Sequence, residues 1–144
     1  MYTHADIPAA DAAVILLVED ELMVRTITGE VLSHAGYRVL ETSNPREALR
    51  VAHQHQGRID VLLTDIVMPE MNGADLAKHM LSQQPDLVTI FMSGYAEPEV
   101  LKRANLSTAV HIQKPFTVGM LLTSVAEALN NAANRRSRTA ALPA

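Results

Sequence analysis

The chain has no cysteine and no tryptophan, and only 3% of its residues are aromatic. Without cysteine there can be no disulfide scaffold, no thiolate zinc site and no cysteine nucleophile. Long apolar runs are missing too. The longest, Ala12 to Val18, is seven residues, against the roughly 20 that a membrane-spanning helix needs. Excess positive charge is also absent: 12 Lys and Arg against 16 Asp and Glu give −4 at pH 7. That argues against a chain-wide nucleic-acid footprint. Met1–Asp11 holds no Lys or Arg, so it does not read as a signal peptide, and no internal repeat is visible. What is present is 144 residues, 48% hydrophobic and 19% charged, enough for one ordinary domain with a proper core. A soluble, cytoplasmic single domain is the expectation.

Short apolar runs alternate with amphipathic stretches. Val14–Val18 is a continuous β-branched and leucine run, the pattern of a strand buried on both faces. Ile59–Thr64 and Leu87–Met92 read the same way, while Tyr37–Glu41 and Ala109–Ile112 are more polar and suit outer strands. Helical patterns fill the gaps at Glu21–Ala35, Pro45–His55, Asn72–Gln83, Pro98–Ala104 and Thr117–Asn131. Asn44 is the expected N-cap of the second, with Pro45 at its first position. The order is strand–helix five times over, which requires crossovers and hence an α/β, doubly wound parallel sheet with helices on both faces. Residues 1–12 are expected to be a flexible extension and 13–131 the domain. Residues 132–144 are expected to be a flexible tail made basic by Arg135, Arg136 and Arg138.

Ligands of such sheets bind beyond the carboxyl ends of the strands. Glu19-Asp20-Glu21 follow the first strand, Asp65 the third, Ser93 the fourth and Lys114 the fifth. Unpaired carboxylates about 4 Å apart repel by about 4 kcal/mol at an effective dielectric near 20. Keeping Glu19, Asp20 and Asp65 ionised together calls for a cation, and an all-oxygen donor set suits Mg²⁺. An aspartate beside such a cation can attack a phosphoryl group to give an acyl phosphate. Lys114 and Ser93 would then face the phosphoryl oxygens.

These residues carry a resemblance. Val18-Glu19-Asp20-Glu21, Asp65-Ile66-Val67-Met68-Pro69 with Asn72-Gly73, Met92-Ser93-Gly94-Tyr95 and Lys114-Pro115-Phe116 follow one another as in the receiver domain of bacterial response regulators. From about Ala13 to Asn131 the chain resembles that family. The resemblance implies a flavodoxin-like (βα)5 fold with strand order 2-1-3-4-5 and Asp65 as acceptor of a phosphoryl group from a histidine. It also implies Mg²⁺ held by Asp20, Asp65 and the Val67 carbonyl, with Glu19 acting through a water. Ser93 and Lys114 would contact the phosphoryl group, and the Lys114–Pro115 peptide would be cis. Val67 and Tyr95 would flank the hydrolytic water and set the lifetime of the acyl phosphate. Two departures stand out: Glu19 replaces the commoner Asp, a variation the family tolerates, and His111 occupies a position, three residues before the lysine, where the family mostly has Tyr or Phe. That aromatic turns inward as the hydroxyl residue moves, so His111 is a candidate switch residue.

The resemblance implies a signalling phosphoacceptor rather than an enzyme. Its phosphodonor would be a sensor histidine kinase or a histidine phosphotransfer protein. About a dozen residues follow the fifth helical pattern, too few for a DNA-binding module. A stand-alone receiver is therefore expected, a monomer or weak dimer without DNA or membrane contacts. Its output would pass to a protein partner through the fourth helix, fifth strand and fifth helix. Two alternatives remain: a receiver excised from a hybrid kinase, and a Mg²⁺-dependent aspartyl-phosphate phosphatase. The latter would need an acid two residues past Asp65, where Val67 stands. His53 and His55 diverge by about 200° on a helix and read as its solvated end. The scattered methionines read as packing.

Overall fold

The computed structural model describes residues 12–94 and 109–141. Among the described residues nine elements follow one another: β1 (Val14–Val18), α1 (Leu22–His34), β2 (Arg38–Thr42), α2 (Pro45–Gln54), β3 (Val61–Asp65), α3 (Gly73–Gln83), β4 (Val88–Ser93), β5 (Val110–Gln113) and α4 (Val118–Ala141). The strands form one parallel sheet in the order β2-β1-β3-β4-β5, as expected. The fourth helical pattern, Pro98–Ala104, and Tyr95 lie outside the described residues.

Alternation along the continuous apolar runs explains why they are continuous. Leu16, Leu62 and Phe91 point to one face and pack with Leu76, Ala77 and Met80 of α3. Their neighbours Ile15, Leu17, Leu63 and Ile90 point to the other and meet Leu32 of α1 with Leu121 and Val125 of α4. Each fully buried aliphatic side chain contributes about 1.5–3 kcal/mol, and both faces collect them. β2 and β5, the more polar strands, are the edges.

Local chemistry sets the helix ends. Asn44 Oδ1 accepts from the Glu47 amide at 2.8 Å with Pro45 at the first helical position, as the sequence predicts. Asn72 Oδ1 does the same for Asp75 N at 2.8 Å, so Asn72 caps α3 rather than opening it. α1 ends on Gly36 at φ 103. There the Tyr37 amide reaches Leu32 O at 3.2 Å and the Gly36 amide reaches Ser33 O at 3.0 Å, a left-handed cap that glycine accommodates without a Cβ penalty. α4 continues to Ala141 rather than stopping at Asn131. Residues 132–141 are rich in alanine and arginine and contain no glycine or proline, so intrinsic propensity carries the helix on.

Candidate functional site

β1, β3, β4 and β5 stand side by side in that order in a parallel sheet, so their carboxyl ends share one edge. Apart from β1, the strands lie one or two residues later than their apolar runs suggest, β3 beginning at Val61 rather than Ile59. Asp65 pairs with Met92 and Ser93 with Gln113, making Asp65 and Ser93 the last residues of their strands rather than the first beyond them. Polar side chains at the rim still extend the backbone ladder because the ladder uses main-chain groups only.

Glu19, Asp20 and Asp65 come together there, each offering an oxygen within 4.8 Å of the others. Glu19 and Asp65 are almost fully buried, with side chains 1% and 8% exposed, and Asp20 is exposed. One ammonium serves both buried acids: Lys114 Nζ lies 2.7 Å from Glu19 Oε1 and 2.6 Å from Asp65 Oδ1. Two buried carboxylates against one lysine leave an excess of negative charge. Burial, the hydrogen bond with Glu19 and its charge push the Asp65 carboxyl up to about 8, against the pull of Lys114. For Glu19, burial acts upward too, but hydrogen bonds with Asp65, Lys114 and the Glu21 amide prevail and hold it below its ordinary value. The pair thus shares one proton, held mainly on Asp65. Burial works against the Lys114 charge, yet its hydrogen bonds and ion pairs with Asp65 and Glu19 raise its pKa.

The donor set fits a hard divalent cation: three carboxylates, no sulfur and no imidazole. Both Glu19 oxygens are engaged, Oε1 by Lys114 and Oε2 by the Glu21 amide at 3.2 Å.

Backbone contacts hold the rim. The Lys114 amide donates to Ser93 O at 2.8 Å, and the Ile66 amide to Met92 O at 3.2 Å. The Lys114–Pro115 peptide is cis. Gly73 N donates to Ile66 O at 2.6 Å, and a Cβ on Gly73 would collide with the Asp65 carbonyl oxygen. Gly73 is therefore a supporting residue whose role comes from close approach rather than from chemistry. Arg25, which no motif contains, donates from Nη1 to Glu19 O at 2.8 Å. Only its position on the first turns of the helix after the acidic run could have pointed to it.

Ser93, 2% exposed, is hydrogen-bonded through Oγ to His111 Nε2. The contact is diagonal across β4 and β5, since Ser93 lies opposite Gln113 and Phe91 opposite His111. Val67 presents an exposed side chain at the mouth of the loop after β3.

Beside Lys114 runs an apolar groove of about 390 Å³, lined by Val24, Ile27, Thr28, Lys114, Pro115 and Phe116. Ile27 of this lining is exposed, as are Leu22 and Met23 at the start of α1. Among the described residues no helix is long and apolar enough to cross a membrane.

Comparison with known proteins agrees with this arrangement. A family model for the response regulator receiver domain matches residues 15–126. The sensor kinase CckA of Brucella abortus is 37% identical over 119 residues, which is 82% of this chain and 13% of that protein. The DNA-binding transcriptional regulator NtrC of Azospirillum brasilense is 34% identical over 134 residues, 92% of this chain and 27% of its own length. The chain therefore spans under a third of either relative. Among solved structures, a receiver domain protein from Clostridium thermocellum matches with a TM-score of 0.75 and 28% identity, over 88% of this chain and 98% of that one. With the family model spanning most of the folded residues and four motifs meeting at one sheet edge, the chain belongs to the response regulator receiver family.

Proposed function

We propose that the chain is a phosphoryl-activated switch in which Asp65 accepts the phosphoryl group. The observation that carries this is the buried Asp65 at the end of the central strand, 2.6 Å from Lys114 and grouped with Glu19 and Asp20. In the reaction an Asp65 oxygen bonds to phosphorus while the P–N bond of a donor phosphohistidine breaks, its electron pair remaining on the imidazole, which takes up the proton that Asp65 gives up. Lys114 then follows the negative charge onto the phosphoryl oxygens, and Ser93 donates its single hydroxyl proton to one of them. Mg²⁺, when bound, supplies the positive charge that lets three carboxylates and a phosphoryl group share the edge. Asp20, Asp65 and the Val67 carbonyl would hold it directly. Glu19, with both oxygens engaged, suits a water-mediated role.

The Val67 side chain offers no hydrogen bond to an attacking water, which favours a slowly hydrolysed acyl phosphate. Valine there also argues against a phosphatase, since it can carry no proton. Tyr95, proposed as the second residue flanking that water, lies outside the described residues.

The donor is a sensor kinase or phosphotransfer protein presenting a phosphohistidine, and we place its docking at the apolar groove beside Lys114. Lys114 lines that groove and also touches Asp65, so a partner seated there has its phosphohistidine next to the acceptor. Output passes to a protein partner through a face that includes β5 and α4.

Incubation with acetyl phosphate and Mg²⁺ tests the reading. We expect acid-stable, base-labile label on the wild type and none on Asp65→Asn. Undiminished label on the variant would remove Asp65 from the role.

A further inference from the structure

The hydrogen bond between Ser93 Oγ and His111 Nε2 bears on how the switch is set, and the argument rests on the phosphoacceptor reading above. β4 lies between β3 and β5 in the sheet. Asp65 ends β3, on one side of Ser93, and His111 sits in β5, on the other. Adjacent strands are about 4.8 Å apart, so a hydroxyl within bonding distance of His111 is drawn towards β5 and away from the acceptor. Ser93 is buried, and a buried hydroxyl needs a partner. His111 provides it before any phosphoryl group is present.

We propose that His111 is a positioning residue that restrains Ser93, so that phosphorylation must break the Ser93–His111 hydrogen bond before Ser93 can reach the phosphoryl oxygens. The restraint follows from position and holds whichever nitrogen of the imidazole carries the proton. Phenylalanine or tyrosine in this place has no ring nitrogen to accept or donate at that point. In this chain the aromatic position therefore acts on the hydroxyl directly, in the resting protein. It does not wait for the hydroxyl to vacate a space.

Beryllofluoride with Mg²⁺ as the acyl-phosphate mimic tests the proposal in a double-mutant cycle. Net hydrogen bonds are worth about 0.5–1.5 kcal/mol. Both His111→Phe and His111→Leu should therefore bind beryllofluoride about threefold to tenfold more tightly than the wild type. His111→Gln, which can still reach Ser93 with an amide, should stay closer to the wild type. In a Ser93→Ala background the His111 substitutions should change nothing, a result that a merely structural role for His111 would not produce. The ¹⁵N shift of His111 Nε2 should move on beryllofluoride addition in the wild type and stay put in Ser93→Ala. Equal affinities for wild type, His111→Phe and His111→Leu, or the same gain with and without Ser93, would overturn the restraint. Absence of any beryllofluoride binding by the wild type would instead overturn the phosphoacceptor reading, and this inference with it.

Discussion

The two ends of the parallel sheet use the same kinds of residue to opposite effect. At the amino end Arg58 bridges Asp60 at 3.1 Å and Asp86 at 2.6 Å, and Asp60 Oδ2 also accepts from Val14 N at 2.8 Å. Those acids keep 21% and 44% of their side chains exposed, so water screens the surplus charge. At the carboxyl end Lys114 bridges Glu19 and Asp65, which keep 1% and 8%. Each cluster sets one cation between two acids, but only the second is dry. Screened pairs contribute little either way, whereas a buried surplus of charge costs stability. The amino-end cluster fastens strands; the carboxyl-end cluster gathers buried acids at the place where the proposed function puts a cation and a phosphoryl group.

The sharpest way to break the contrast is to move the carboxyl end itself. Gly73→Ala places a methyl group against the Asp65 carbonyl, and the backbone must shift to admit it. A loss of about 3 kcal/mol in urea unfolding is expected, together with weakened labelling by acetyl phosphate. Wild-type values for both would show that α3 does not brace the site.

Next in size is a pH effect in metal-free protein. Asp65 keeps its proton in the folded state up to about pH 8, whereas the unfolded chain releases it near pH 4. Between those values the folded state binds the extra proton, so stability falls as pH rises across that window, by a few kcal/mol from pH 5 to 8. Asp65→Asn should flatten the profile and be the more stable protein at pH 8. Urea melts in chelator decide it, and a wild type that gains stability from pH 5 to 8 would contradict the buried-charge account.

The smallest effect belongs to the screened end. Asp60→Ala removes an acceptor from Val14 N and a partner from Arg58, and should cost about 1 kcal/mol, the same with or without Mg²⁺. A Mg²⁺-dependent loss would mean the two ends communicate.

Much of this was legible in the sequence, for reasons that particular residues make plain. The runs at Val14, Ile59 and Leu87 fixed three inner strands because burial on both faces leaves no polar alternation. The more polar runs at Tyr37 and Ala109 fixed the edges. Strand order then delivered Glu19, Asp20, Asp65 and Lys114 to one place, since each follows or ends a strand. The resemblance tied His111 to the movement of Ser93, but the hydrogen bond between them was not legible. It depends on the register between β4 and β5 and on a diagonal reach across them, and neither leaves a trace in linear spacing. Gly73 was visible as part of a motif but not as a brace, because steric contact with a carbonyl has no sequence signature. The far end of α4 was missed because its alanines and arginines resemble a solvated tail as much as a helix.

Lys114 is a wall of the apolar groove as well as the partner of Asp65, and shared walls impose reciprocity. Whatever the charge state of Asp65 does to a partner seated in the groove, that partner must do to Asp65 by the same factor. If Lys114 turns towards a newly acquired phosphoryl group, the groove loses part of its lining. A donor would then hold the spent receiver less tightly than the fresh one. One lysine would thus give the exchange a direction: capture before transfer, release after it.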